Sequence, residues 1–152
     1  PRRRFRPGFT LVELLVAITI VGMVLAAAVP ASVRSYESMR YRQAIRDVTT
    51  TLASARYLAV NTGRAQDVAL NPKTNVIRMN KETWQLPANV NVVVHSAREV
   101  NRESEGIIRF YPEGGSSGGD IEIAQPNGSG VKISVDWLVG RVTQEKYVFS
   151  AR

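Results

Sequence analysis

No cysteine occurs in the 152 residues. That absence removes thiolate metal sites, cysteine nucleophiles and disulfides together. It leaves an oxidising compartment open, because a domain with an adequate core needs no disulfide there. Histidine is almost as scarce, His95 being the single one. With no second imidazole and no thiol, a zinc site or a Ser-His-Asp triad centred on it lacks its donors. No internal repeat is evident. Charge is missing from one long stretch: across the 21 residues from Phe9 to Val29, Glu13 is the only charged side chain.

As a helix, Phe9–Val29 spans roughly 32 Å, about one bilayer core. A lone carboxylate inside such a run costs free energy, up to about 3 kcal/mol at mid-membrane and less near an interface. Charges kept at that cost have partners, and the partners usually have a function. The overall charge of +7 invites a nucleic-acid reading, but four of the 20 basic residues are Arg2, Arg3, Arg4 and Arg6. Set aside, they leave 16 basic residues against 13 acidic ones, or +3. Arginines just before an apolar span are better read as a topology determinant that holds the amino terminus in the cytoplasm. Two other readings compete. Basic residues, an apolar run and Ala26-Ala27-Ala28-Val29-Pro30-Ala31 make an ordinary secretory signal with a small-residue cleavage site. Arg2-Arg3-Arg4-Phe5 has a faint twin-arginine look. Neither accounts for Glu13, which works against both.

Beyond the apolar run, Tyr41, Ile45, Val48, Leu52, Ala55 and Ala59 recur at gaps of three and four, an apolar stripe on one helix face. Arg42, Arg46, Asp47 and Arg56 fall off it. Pro30 should kink the helix without ending the periodicity. Gly63 suits the position just past the end. One helix of about 54 residues, Phe9 to Thr62, is therefore expected. Short β-candidates follow at 67–70, 75–79, 83–86, 90–95, 107–111, 120–123, 131–135 and 142–148, separated by Gly, Pro and Asn turns. Asn71-Pro72-Lys73-Thr74 and Gln125–Gly130 are expected to turn hairpins. The predicted class is α+β: a helical spine, apolar all round in its first half and one-sided in its second, on antiparallel sheet.

Several constellations have plain structural explanations. The stretch Glu113–Gly119 is glycine-rich, but a phosphate loop needs Lys-Ser/Thr opening a helix, and Asp120 opens a strand; a flexible hairpin connection is expected. Arg98, Glu99, Arg102, Glu103 and Glu105 form a mixed-charge run expected to be a solvated loop. Asp120 and Glu122 alternate with isoleucines, as on the exposed face of a strand, and Glu113 is a third carboxylate nearby; no metal site and no cofactor is expected. Trp84 and Trp137 are expected in the core beneath the helix, although an exposed one would suit a subunit contact.

The amino-terminal segment resembles the type IV prepilins, the group that includes pilins and the pseudopilins of type II secretion. The residues that carry the resemblance are the arginines ending at Gly8, the aromatic Phe9, Thr10, and Glu13 as fifth residue of the expected mature chain, with Pro30 at the family's helix-bending proline. It implies a leader at 1–8, a transmembrane and assembly helix at 9–30 and a periplasmic pilin-like domain at 31–152. A prepilin peptidase would cut between Gly8 and Phe9 and N-methylate Phe9, and Glu13 would pair with a neighbouring subunit's amino-terminal nitrogen. Further on, Phe110-Tyr111-Pro112-Glu113-Gly114, the Ser/Gly run after it and Gly140-Arg141-Val142 are similar to the H-type minor pseudopilins, as are Ala55–Ala59 and Trp84. The same elements resemble the related minor pilins linked to DNA uptake. Those are expected to read G-R-x-R, whereas this chain has Thr143 in place of the second arginine. Arg141, Lys146 and Arg152 are the possible nucleic-acid contacts under that alternative, with Asp136 and Glu145 close by to weaken it. The resemblance implies a non-enzymatic subunit anchored in the inner membrane, with partners among the other minor pseudopilins and the major pseudopilin.

Overall fold

The computed structural model describes residues 8–97, 99, 101 and 104–148, with the side chains of 27–35 and 148 outside the described set. It divides into two compact units, Pro1–Met39 and Arg40–Arg152.

Helix α1 runs Leu11–Thr62, through Pro30, and ends where Gly63 takes a φ of 64°. Glycine pays no Cβ penalty in that left-handed conformation, which is why the helix stops there. Leu11 to Leu25 in the first unit carry exposed apolar side chains on every face: Leu11 is 79% exposed, Leu15 56% and Met23 72%. No helix among the described residues is long and apolar enough to cross a membrane. The apolar run seen in the sequence extends to Val29, beyond Ala26, the last of its described side chains.

In the second unit, Arg40–Thr62 of α1 is one-sided. Ile45, Val48, Leu52, Ala55 and Ala59 are buried and Tyr41 packs against the same core, as the spacing required. Ala44 and Thr51 are buried too, widening the stripe; the Thr51 hydroxyl is satisfied by donating to the Asp47 carbonyl at 2.7 Å.

The strands are β1 Gln66–Asn71, β2 Val76–Met79, β3 Glu82–Gln85, β4 Asn91–Ser96, β5 Gly106–Phe110, β6 Gly119–Ala124, β7 Ser129–Val135 and β8 Val142–Val148. They form two four-stranded antiparallel sheets, ordered β3-β2-β1-β5 and β4-β6-β7-β8. Alternation sets the faces. In β6 and β7 the pairs Ile121↔Ile133 and Ile123↔Val131 face the core, while Glu122↔Lys132 and Asp120↔Ser134 face away. Phe110, Leu70, Ile77, Ile108, Ile121, Ile123 and Ile133 join Val48 and Leu52 of α1 in one cluster.

Two polar residues fix connections that strand propensity leaves open. Asn71 Oδ1 accepts from the Lys73 and Thr74 amides, turning β1 into β2. Asn75 is buried with a φ of 53°, and its Nδ2 donates to the carbonyls of Pro87 and Val90, tying the chain after β3 to the start of β2. Asparagine tolerates positive φ better than most residues and can satisfy both carbonyls from one amide.

Candidate processing and assembly site

The amino-terminal site begins with a helix cap. Thr10 precedes α1, and its Oγ1 accepts from the Glu13 amide at 3.2 Å. The Thr10 carbonyl accepts from the Leu14 amide. Thr10-Leu11-Val12-Glu13 is thus the start of a capping box, a pattern legible in the sequence that the reading of Glu13 passed over. The cap explains a hydroxyl at Thr10 and favours an acid in the first turn, where the helix dipole is positive. It does not explain why the following helix presents exposed leucine, valine and isoleucine on every side. Phe9 is 82% exposed and Glu13 is exposed. A Cβ added at Gly8 would meet nothing within 4 Å. Among the described residues, packing therefore gives no reason for glycine there.

A second constellation lies in the other unit, around the glycine-rich segment. Contrary to expectation, 111–118 is neither a hairpin nor loose: it carries the chain from β5 in one sheet to β6 in the other. It is hydrogen-bonded throughout. Tyr111 N donates to Gly115 O, Ser117 N to Arg109 O and Ser116 N to Trp137 O, while Ser116 Oγ donates to Asp136 O. Close approach favours glycine here: a Cβ at Gly115 would sit 3.2 Å from Trp137 O, and one at Gly118, where φ is 70°, 3.2 Å from the Trp137 Cβ.

The turn this segment packs on, 136–140, is itself pinned. Asp136 Oδ1 accepts from the amides of Leu138 and Val139 at 2.8 and 2.9 Å. Arg56 reaches across from α1 and donates Nε to Val139 O at 3.0 Å. Gly140 has a φ of 60°, and a Cβ there would lie 2.6 Å from Gly114 O and 3.1 Å from Arg56 Nε. The elements Phe110–Gly114, Gly140-Arg141 and Arg56 are far apart in sequence yet form one structural joint. The expectation for Trp137 is corrected by the same geometry. It is 68% exposed, with Leu138 at 65%, because the Asp136 cap turns the chain outward as β7 ends. Trp84 does pack against the core.

The residues proposed under the nucleic-acid alternative are not gathered into one patch. Arg141 is exposed and lines a cleft with Arg56, whereas Lys146 lines a different one with Tyr41 and Tyr147. Arg152 lies outside the described residues.

Several other carboxylates are engaged locally. Asp120 meets Lys132 at 3.1 Å. Burial pushes the Asp120 carboxyl up, but hydrogen bonds from Ser134 and Lys132 and the lysine's charge outweigh it, so the net displacement is downward. The Lys132 ammonium is raised, first by its hydrogen bond to Asp120. Asp67 takes a bidentate contact from Arg109, at 2.6 and 2.8 Å, and Glu105 pairs with Arg78 at 2.8 Å. The Tyr147 phenol is pushed up to about 12, mainly by desolvation and then by the nearby Glu122. Glu99 is exposed, while Arg98, Arg102 and Glu103 lie outside the described residues. Among the described residues, no cluster of three or more His, Asp or Glu side chains could hold a metal ion.

Comparison with known proteins agrees with this geometry. Residues 3–29 match the family model for the prokaryotic N-terminal methylation motif. The fold matches that of the type IV minor pilin FimU of Pseudomonas aeruginosa, with a TM-score of 0.56 at 15% identity, covering 72% of this chain and 90% of that one. It also matches the minor pseudopilin EpsH from the type 2 secretion system of Vibrio cholerae, with a TM-score of 0.54 at 8% identity, covering 72% of this chain and 97% of the other. In its amino-terminal motif the chain is similar to type IV prepilins, and its fold is that of the minor pilin and minor pseudopilin structures. In sequence it is similar to Type II secretion system protein H of Xanthomonas campestris pv. campestris, 28% identical over 93% of this chain and 83% of that protein.

Proposed function

We propose that this chain is an H-type minor pseudopilin, a non-enzymatic subunit of a type II secretion pseudopilus. The observation that carries the reading is Glu13 in the first turn of a helix whose apolar side chains are exposed on every face. Such a surface has to be covered by lipid or by other apolar helices. Inside that cover a lone carboxylate is costly, and a cation on a neighbour relieves the cost.

In this reading the basic segment orients insertion into the inner membrane. A prepilin peptidase cuts between Gly8 and Phe9 and methylates Phe9. The new Phe9 ammonium of one subunit then pairs with Glu13 of the next, so that assembly removes an uncompensated charge. The helices pack as the filament core, and the sheet domain, 31–152, faces the periplasm beside other minor pseudopilins near the tip and the major pseudopilin along the shaft. Similarity to protein H over nearly the whole chain supports secretion over DNA capture, as does Thr143 where a second arginine is expected.

The test is incorporation. Glu13→Ala should be processed normally and recovered poorly in cross-linked pseudopilus, by about ten-fold or more if pairing is worth at least ~1.4 kcal/mol. Unchanged recovery would remove Glu13 from assembly.

A further inference from the structure

The joint described above leaves a groove open on the surface of the sheet unit. Its volume is about 450 Å³, and its walls are Thr49, Ala53 and Arg56 of α1 and Val139–Val142. Two features distinguish it from a packing defect. It contains two guanidinium groups and no carboxylate. Its lining also includes the aliphatic side chains of Ala53, Val139 and Val142.

The two arginines are held differently. Arg56 spends Nε on the Val139 carbonyl, which fixes the side chain while leaving its terminal nitrogens as donors. Gly140 makes that placement possible, since a Cβ there would lie against the Arg56 side chain. Arg141 forms no ion pair or side-chain hydrogen bond with the described residues. Two other arginines of the sheet unit do meet acids, Arg78 with Glu105 and Arg109 with Asp67. The nearest acid in the turn, Asp136, already holds two backbone amides. Two cations lining one groove repel each other unless an anion joins them. Fork-shaped guanidinium donors suit a carboxylate in particular.

We infer that this groove receives a carboxylate-bearing, aliphatic segment of a neighbouring subunit, its acid held between Arg56 and Arg141 and its apolar side chains lying on Ala53, Val139 and Val142. Trp137 and Leu138, exposed in the same turn, extend the apolar surface beside it. A nucleic acid fits less well: its affinity grows with each phosphate neutralised, and two arginines offer few such contacts, even with the exposed Trp137 beside them as a stacking face. The inference rests on the reading of this chain as one subunit among others, and it is tested separately from that reading.

The full chain in detergent micelles is titrated, by fluorescence anisotropy, with a labelled peptide alternating leucine and glutamate. The same peptide with glutamine for glutamate and a single-stranded oligothymidine serve as comparison probes. The acidic peptide should bind at least about ten-fold more tightly than its glutamine counterpart. Arg141→Gln, at an exposed position without side-chain partners in the described fold, should abolish that preference with the thermal midpoint unchanged. Ala53→Tyr, which fills the groove without touching either charge, should weaken binding as well. Equal binding of the two peptides, no binding of either, or full binding by Arg141→Gln would each overturn the inference. Tighter binding of the oligothymidine, lost in Arg141→Gln, would assign the groove to nucleic acid instead. A chain that is processed at Phe9 yet ignores the acidic peptide keeps its place in the filament and loses only this site.

Discussion

Gly8 has no packing among the described residues to explain it, while Glu13 is explained in part by the Thr10 cap at the positive end of the helix. An added Cβ at Gly8 has open space around it, so Gly8→Leu should leave the fold untouched. If glycine is there for the peptidase, the same change should block processing, read as a mobility shift of the unprocessed chain; normal processing would move the cleavage site elsewhere. Gly140 is the opposite case, a glycine its own chain requires. With a φ of 60° and Gly114 O at 2.6 Å from an added Cβ, Gly140→Ala should cost more than about 1 kcal/mol in thermal or denaturant unfolding. A neutral result would mean the 111–118 segment yields easily. Glu13 was legible as a residue needing an explanation, because a charge in an apolar run has few; its part in assembly is a proposal. Trp137 was not: an indole reads as core until the Asp136 cap that turns it outward is seen, and that cap depends on backbone geometry one strand end away.

At the scale of elements, periodicity did most of the work. The helix stripe follows from gaps of three and four, and the eight strands from alternation, β-branched and aromatic runs and the turn residues between them; observed ends differ from the expected ones by at most two residues. What alternation cannot say is which strand lies beside which. The split into two sheets arises because β5 pairs with β1, across the 34 residues from 72 to 105, and β4 with β6; the segment after β5 was misread as a hairpin for that reason. Leu52, fully buried where α1 meets the sheets, should lose about 2–5 kcal/mol of stability as Leu52→Ala. A loss well under 1 kcal/mol would mean the helix is not seated there. The Asp120–Lys132 pair links β6 to β7 with both side chains about one-third exposed, so it contributes under about 1 kcal/mol. Asp120 is displaced below its usual 3.8, so its share is present above that pH and fades as pH falls through the lower folded value. Lys132 is displaced above 10.5, so its share is present below that pH and is lost as pH climbs through the higher folded value. Lys132→Met should therefore lower the melting temperature slightly at neutral pH and not at all in strong acid. A difference that persists in strong acid would place the effect in packing rather than charge.

For the whole molecule, one chain holds two kinds of apolar surface. The second half of α1 buries its stripe within the chain; the described apolar side chains of the first half, Leu11 to Leu25, are exposed, and the proposed function covers them with lipid or other copies. A single acid near the end of that uncovered half makes sense if the nitrogen created by cleavage becomes its counter-charge. The most direct test is the intact mass of the chain recovered from membranes and from assembled pseudopilus. The expected species begins at Phe9 and carries one N-methyl group in both fractions. A chain beginning anywhere within Ala27–Ser32, free in the periplasm and lacking Glu13, would contradict the account at its root.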